Sequence, residues 1–356
     1  MNKAKDIPFF FIIGRPRSGT TLLRLLIEAH PHVIIPPESP VILSLYKKYE
    51  GKKVWQKEDL EDLIEDLYRQ QYFEAWLIKK EVLRKRLIKL TGEISFLEII
   101  RELYQAYPSM FPKENIQLIG DKNPVYALYI KRIHKLFPDS KFIYISRDYR
   151  DNYLSLIRVN FEIPLVPLVV YRWKFAYRQF RKLEKEHPAR FYFIRYEDLA
   201  SNPETVIKKV YDFLGLDFRQ EVFDFYKKKE EMQKAYGHSE ELMDIHRSLL
   251  NPINTGRINT WKKKMSEKQI RMADLVAGKT ADECGYERKY KGFDLWLYLR
   301  MLPLLTYGKI MYQLMLWGER LPYKARSALL EFLGIFLRVY WSLNKEKLNK
   351  KEKETP

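Results

Sequence analysis

The chain has 356 residues, 46% of them apolar, with one cysteine and a formal net charge of +18. That length allows one large domain, or one domain with an appendage, around a sizeable core. The lone Cys284 excludes an intrachain disulfide and a cysteine metal cluster, and fits a reducing, cytoplasmic compartment.

The first apolar run, FFFII at 9–13, reads as a buried strand. It stops at Gly14, too short for a membrane span, and no small-residue cleavage site follows, so it is not read as a signal peptide. Next comes GRPRSGTT, residues 14–21. Gly14 and Gly19 stand five apart and Thr20 and Thr21 follow, nearly the register of a phosphate-binding G-x-x-x-x-G-K-[ST] loop. Thr20 replaces the lysine, and Arg15 and Arg17 lie inside the loop. Leu22, Leu25, Leu26 and Ala29 then recur at helical spacing.

Further strands are predicted at 33–35, 116–119, 141–146 and 191–195, with helical patterns between them. Strands alternating with helices give an α/β fold: a P-loop-type, doubly wound parallel sheet flanked by helices. Residues 40–115 are charged, helical and strand-free, and read as a helical insertion or cap. Segment 204–232 is helical, and 251–266 is loop-like. From 289 onward two greasy, aromatic runs are interrupted by Arg300, Pro303, Lys309, Glu331 and Arg338, so neither is a clean membrane span. Residues 289–356 carry 13 Lys/Arg against 6 Asp/Glu. They read as amphipathic basic helices, lying on an anionic bilayer or packed on the domain, with 344–356 disordered. The expected division is a domain at 1–288 followed by this tail.

The positive charge admits a polyanionic small ligand, an anionic membrane surface or nucleic acid, beside a plainly solvated lysine-rich surface. No zinc-finger spacing, RNP motif or GXXG clamp is present, so no nucleic-acid partner is expected. Parallel strands all end at one edge, where ligands bind. The residues following the five predicted strands are GRPRSGTT, PPES with Glu38, GDKNP with Asp121 and Lys122, then Arg147, then Tyr196. Glycines let backbone approach an anion, a helix N-terminus binds oxyanions, and Arg17 supplies the cation that the absent lysine would give. No strand ending in a magnesium-holding aspartate accompanies the loop, as a nucleotide kinase requires. A sulfuryl group carries less charge than a terminal phosphoryl and transfers without the metal. A small-molecule kinase and a non-catalytic, membrane-associated anion-binding protein are the alternatives.

In order along the chain stand PRSGTTLL at 16–23, AHP at 29–31, Glu38, DKNP at 121–124, YISRDYRDNYLS with Arg147 and Ser155, Tyr196–Glu197, and NTGRINTW at 254–261. This set resembles the sulfotransferases that use 3′-phosphoadenosine 5′-phosphosulfate, most of all their protein-tyrosine branch, over roughly residues 8–287. The resemblance implies that the loop carrying Arg15, Arg17, Ser18, Gly19, Thr20 and Thr21 holds the 5′-phosphosulfate. Arg147 and Ser155 would hold the 3′-phosphate, and Tyr196 would contact the adenosine. Gly256 and Asn259 would belong to the late cofactor loop. Glu38 matches the catalytic base and Lys122 the transition-state lysine, with Arg17 assisting; His30 is the fallback base. No metal is expected. Two positions depart from the pattern: Asn259 stands where the tyrosine branch has a serine, and Arg158 is displaced by about one residue. The tyrosine branch carries an N-terminal membrane anchor and disulfides that this sequence does not show. The expected acceptor is therefore a carbohydrate or lipid hydroxyl, with a protein tyrosine as the alternative. The expected location is cytoplasmic, peripheral on the inner membrane face.

Overall fold

Phe9–Gly14 forms β1, and all six of its residues are buried. A strand covered on both faces reads as a continuous apolar run, as this one does. The computed structural model describes residues 7–159, 162–237, 247–335, 339 and 342. The further strands are β2 (Val33–Ile34), β3 (Val54–Trp55), β4 (Gly92–Glu93), β5 (Leu118–Lys122), β6 (Lys141–Ser146) and β7 (Phe191–Arg195). The chain divides into two compact units: Met1–Arg147 with Gln179–Arg257, and Asp148–Arg178 with Ile258–Pro356.

The first unit holds a five-stranded parallel sheet in the order β2-β5-β1-β6-β7. The direction of winding reverses at β1: the chain runs from β1 outward to β2 on one side, and later crosses to β6 and β7 on the other. Such a switch point opens a crevice at the carboxyl ends of the central strands. Ile12 pairs with Lys122 on one side of β1, and Gly14 pairs with Ile145 on the other. Stacked rings fill the space beneath, with Phe11 against Phe142 at 5.1 Å and Phe142 against Phe191 at 4.8 Å between centroids. Burying each such side chain contributes about 1.5–3 kcal/mol.

Four expectations change. The segment 251–266, expected as a loop, holds the short helix Trp261–Lys264. The strand expected at 116–119 lies at Leu118–Lys122, so Asp121 and Lys122 end the strand rather than follow it. The segment 40–115, expected without strands, contains the antiparallel β3–β4 pair. Each of those strands is two residues long, too short to leave an alternating pattern. Tyr196, expected in a loop, opens the helix Tyr196–Ser201. The helices of the insertion form as their sequences dictate. Ser95 and Glu98 make a reciprocal capping box, and Phe96, Ile99, Ile100, Leu103 and Tyr104 then face inward at helical spacing.

The second unit is helical among the described residues. Its core centres on Arg150, whose guanidinium pairs with Asp148 at 2.7 Å and lies 3.6 Å from the Trp261 ring centroid. Asp274 accepts from the Tyr149 hydroxyl at 2.5 Å, and Asp151 accepts from Thr260 Oγ1 at 2.6 Å. The first greasy run of the tail forms one helix, Leu295–Gly318, with Pro303 inside it; residues 323–335 form another. Gly308 lets the long helix approach closely, since an added Cβ would lie 3.3 Å from Leu168 and 3.4 Å from Tyr171. Tyr312 stacks on Phe175 at 5.3 Å. Among the described residues no helix is long and apolar enough to cross a membrane. The expectation for 344–356 lies outside the described residues.

Candidate functional site

The loop after β1 is built by two left-handed residues. Arg17 has φ 66° and Gly19 φ 91°. The arginine pays about 1 kcal/mol for that conformation; the glycine does not. Gly19 is required twice over, because a Cβ there would lie 2.6 Å from the Tyr196 ring. Gly14 is equally confined: a Cβ would meet the Ile145 carbonyl oxygen at 2.3 Å. A bond from Ser18 N–H to the Arg15 carbonyl, 3.2 Å, closes the turn. The helix Thr20–Glu28 then starts without a side-chain cap. The N–H groups of its first turn have no intrahelical acceptor, and they sit at the positive end of the helix dipole. Arg15, Ser18 and Thr20 are buried; Arg17, Gly19 and Thr21 are half-buried.

Arg147 follows β6 directly, across the switch point from this loop. Its Nη1 donates to the Arg17 carbonyl at 3.2 Å and its Nη2 to the Arg257 carbonyl at 2.7 Å. The guanidinium lies 4.9 Å from the Tyr196 ring centroid. One side chain thus ties together the first loop, the segment carrying Gly256 and the start of the Tyr196 helix. Gly256 itself is exposed, and its N–H donates to Asn254 Oδ1 at 3.1 Å.

On the other side of β1, Lys122 ends β5 and donates to Glu38 Oε2 at 2.7 Å. The lysine side chain is 2% exposed and the glutamate 34%. Burial lowers the Lys122 pKa, and Glu38 opposes that shift. The neighbouring Asp121 is anchored by the Tyr104 hydroxyl, 2.7 Å away, and by the Asn123 amide. Burial pushes Asp121 up to about 7, against the pull of those hydrogen bonds. Asn123 also donates to the Ser39 carbonyl at 3.2 Å. Trp76 of the insertion donates to the Pro37 carbonyl at 2.9 Å, and Ser39 donates to the Gln71 carbonyl at 2.9 Å. The segment bearing Glu38 is therefore fixed from both flanks.

Sequence reasoning missed the support beneath it. Arg24 and Glu28 form an ion pair in which both side chains are 0% exposed. Arg24 Nε donates to the Ile35 carbonyl at 3.0 Å and Nη1 to the Tyr236 hydroxyl at 2.9 Å; Glu28 accepts from Ser109 at 2.8 Å. The signal was available. A lone Arg–Glu pair, four apart in a helix otherwise apolar from Leu22 to Ile27, has no solvent face to occupy. His30, the fallback base, has both ring nitrogens engaged: Nδ1 accepts from the His32 N–H at 3.2 Å, and Nε2 lies 3.1 Å from the Asp217 carbonyl. Ser155, Arg158 and Asn259 belong to the second unit. Ser155 is half-buried in the helix Tyr149–Leu156, Arg158 is exposed, and Asn259 adopts a left-handed φ of 59°.

The family model described as the Sulfotransferase family matches residues 8–220. Protein-tyrosine sulfotransferase of Drosophila melanogaster is 29% identical over 285 residues, which is 76% of this chain and 50% of that protein. The chain thus spans half the length of that relative. Protein-tyrosine sulfotransferase 1 of Danio rerio is 28% identical over 269 residues, 73% of this chain and 67% of the relative. An omega-hydroxy-beta-dihydromenaquinone-9 sulfotransferase of Mycobacterium bovis is 28% identical over 254 residues, 59% of this chain and 63% of the relative. Among solved structures, the sulfotransferase domain from the curacin biosynthetic pathway superposes with a TM-score of 0.52 at 22% identity, covering 79% of this chain and 98% of that domain, a likeness of fold. The family match opens just before β1 and runs past β7, taking in the Gly14–Thr21 loop, the Glu38–Lys122 pair and Arg147; the chain belongs to the sulfotransferase family of enzymes.

Proposed function

We propose that this chain transfers a sulfuryl group from 3′-phosphoadenosine 5′-phosphosulfate to the phenolic hydroxyl of a peptide tyrosine. The observation that carries the reading is the 2.7 Å contact of Lys122 with Glu38, on the strand beside the Gly14–Thr21 loop. Next to an anion-binding loop, the carboxylate is a proton acceptor, and the buried ammonium against it is placed to stabilise the negative charge that develops.

The donor set suits a polyanion: an open helix N-terminus, the hydroxyls of Ser18, Thr20 and Thr21, and the guanidinium groups of Arg15, Arg17 and Arg147. In this reading the loop binds the 5′-phosphosulfate, Arg147 with Ser155 binds the 3′-phosphate, Tyr196 contacts the adenosine, and Gly256 and Asn259 complete the late loop. Glu38 takes the acceptor's proton as its oxygen bonds to sulfur. The bond from sulfur to the phosphate oxygen breaks in line, and adenosine 3′,5′-bisphosphate leaves. Lys122 and Arg17 stabilise charge on the sulfuryl oxygens and on the departing phosphate.

The names of the Drosophila and Danio relatives support tyrosine as the acceptor. The expectation of a carbohydrate or lipid acceptor gives way to this alternative. That expectation draws on cellular setting and on the basic tail, and neither touches the chemistry of the acceptor. A sulfate-transfer assay offering a tyrosine peptide beside a long-chain alcohol tests the choice; transfer to the alcohol alone would reject tyrosine.

Calorimetry tests the donor. Adenosine 3′,5′-bisphosphate binds, and Arg147→Ala weakens it by roughly ten- to hundredfold, the loss of charge-assisted hydrogen bonds. Preferential binding of ATP with magnesium would replace this reading with the kinase alternative. Turnover is also expected to persist in excess chelator, because Arg17 and Lys122 supply the positive charge. Loss of activity restored by a divalent cation would refute a metal-free transfer.

A further inference from the structure

We infer that the outward face of the helix Leu295–Gly318 is a docking surface for an anionic lipid bilayer. The inference is independent of the acceptor and donor assigned above. The exposed apolar positions of this helix are Leu295, Trp296, Leu299, Leu302, Pro303, Ile310, Leu314 and Trp317, adjacent or at spacings of three, four and seven. They fall on one side of a 3.6-residue helix, with only Thr306 and Gln313 interrupting them. The opposite side, with Met301, Gly308 and Tyr312, packs within its own unit. A helix apolar on both sides is ordinarily buried; here one apolar side faces outward. Trp296 is 75% exposed and Trp317 52%. They stand about 32 Å apart along the axis, and both face out. Phe293 before the helix, and Phe332 and Ile335 in the next one, are exposed as well.

Charge selects the occupant. Arg300 and Lys309 lie at the two margins of the apolar stripe and both are exposed. Residues 289–335 carry seven Lys/Arg against three Asp/Glu. The inner side of this helix is covered by its own unit, so the outer apolar stripe with its bordering cations and end tryptophans is what it offers to a membrane interface. A second copy of this chain is a poor occupant, because each copy brings a net charge of +18 to the contact. The surface would lie on the membrane, since no described helix is long and apolar enough to cross it.

Flotation of the full chain with vesicles tests this. The protein is expected to float with phosphatidylcholine vesicles containing phosphatidylglycerol, and far less with phosphatidylcholine alone. Trp296→Glu with Trp317→Glu is expected to weaken partition by roughly tenfold or more per tryptophan. Arg300→Gln and Lys309→Gln are each expected to weaken it about fivefold. All four positions are exposed, so unchanged circular dichroism and melting temperature should accompany the losses. Equal flotation of the tryptophan variant, or equal binding to neutral and anionic vesicles, would overturn the inference. So would a wild-type dimer in light scattering that the tryptophan variant dissolves while neither protein floats, which would make this face a contact between copies.

Discussion

Glu38→Gln is expected to lower kcat by roughly 10²–10⁴-fold while leaving the affinity for adenosine 3′,5′-bisphosphate nearly unchanged. The substitution keeps shape and hydrogen bonding: the amide oxygen still accepts from Lys122 Nζ, as Oε2 does now at 2.7 Å. It removes the capacity to take a proton, together with the charge that counters the burial of Lys122. The loop from Gly14 to Thr21 and the Arg147 contacts are untouched, so binding should survive. Single-turnover kinetics beside calorimetry separate the two effects; unchanged turnover would end the assignment of Glu38 as the base. Lys122→Met should lower turnover too. The double variant should fall little below the worse single one, because residues acting as a unit are not additive.

The second large effect is on stability. Arg24→Met is expected to destabilise the fold by about 3–5 kcal/mol, because it strands the Glu28 carboxylate in a site with no solvent. Both side chains are 0% exposed, so water cannot take the arginine's place. For a domain of this size the melting temperature should fall by roughly 10 °C. Adding Glu28→Leu should recover most of the loss, since a buried ion pair and a well-packed apolar pair differ little in net stability. Thermal unfolding of the three variants closes the cycle. A single variant melting with the wild type would show that the pair carries none of the predicted energy. Arg24 also holds the Ile35 carbonyl, three residues before Glu38, so the single variant should lose turnover at temperatures where it remains folded.

The sheet was legible because buried parallel strands leave continuous apolar runs, and FFFII and KFIYIS are such runs. The grouping of the Gly14–Thr21 loop, Glu38, Lys122 and Arg147 followed from topology, since parallel strands deliver their ends to one edge. What escaped had physical reasons. A two-residue strand such as Val54–Trp55 has no periodicity to detect. Leu118–Lys122 runs three residues past the expected stretch because Asp121 and Lys122, though polar, are satisfied inside by Tyr104, Asn123 and Glu38. Arg24 and Glu28 read as a solvent-facing pair when the spacing alone is considered, and as a buried pair only when the whole helix is. The acceptor was not legible at all. Anchors and disulfides report cellular setting rather than the shape of a pocket.

Two hydrogen bonds of Arg147 bear on how the enzyme is made. Arg17 and Arg257, whose carbonyls it bridges, lie 240 positions apart, and the first unit is interrupted by residues 148–178 before it resumes. Contacts at such separation form late, after the long loop between them has been closed. A chain still emerging from the ribosome has β1 and the glycine loop well before it has the backbone at residue 257 that Arg147 contacts. The bridge that Arg147 makes between these two segments can therefore close only after residue 257 has been synthesised.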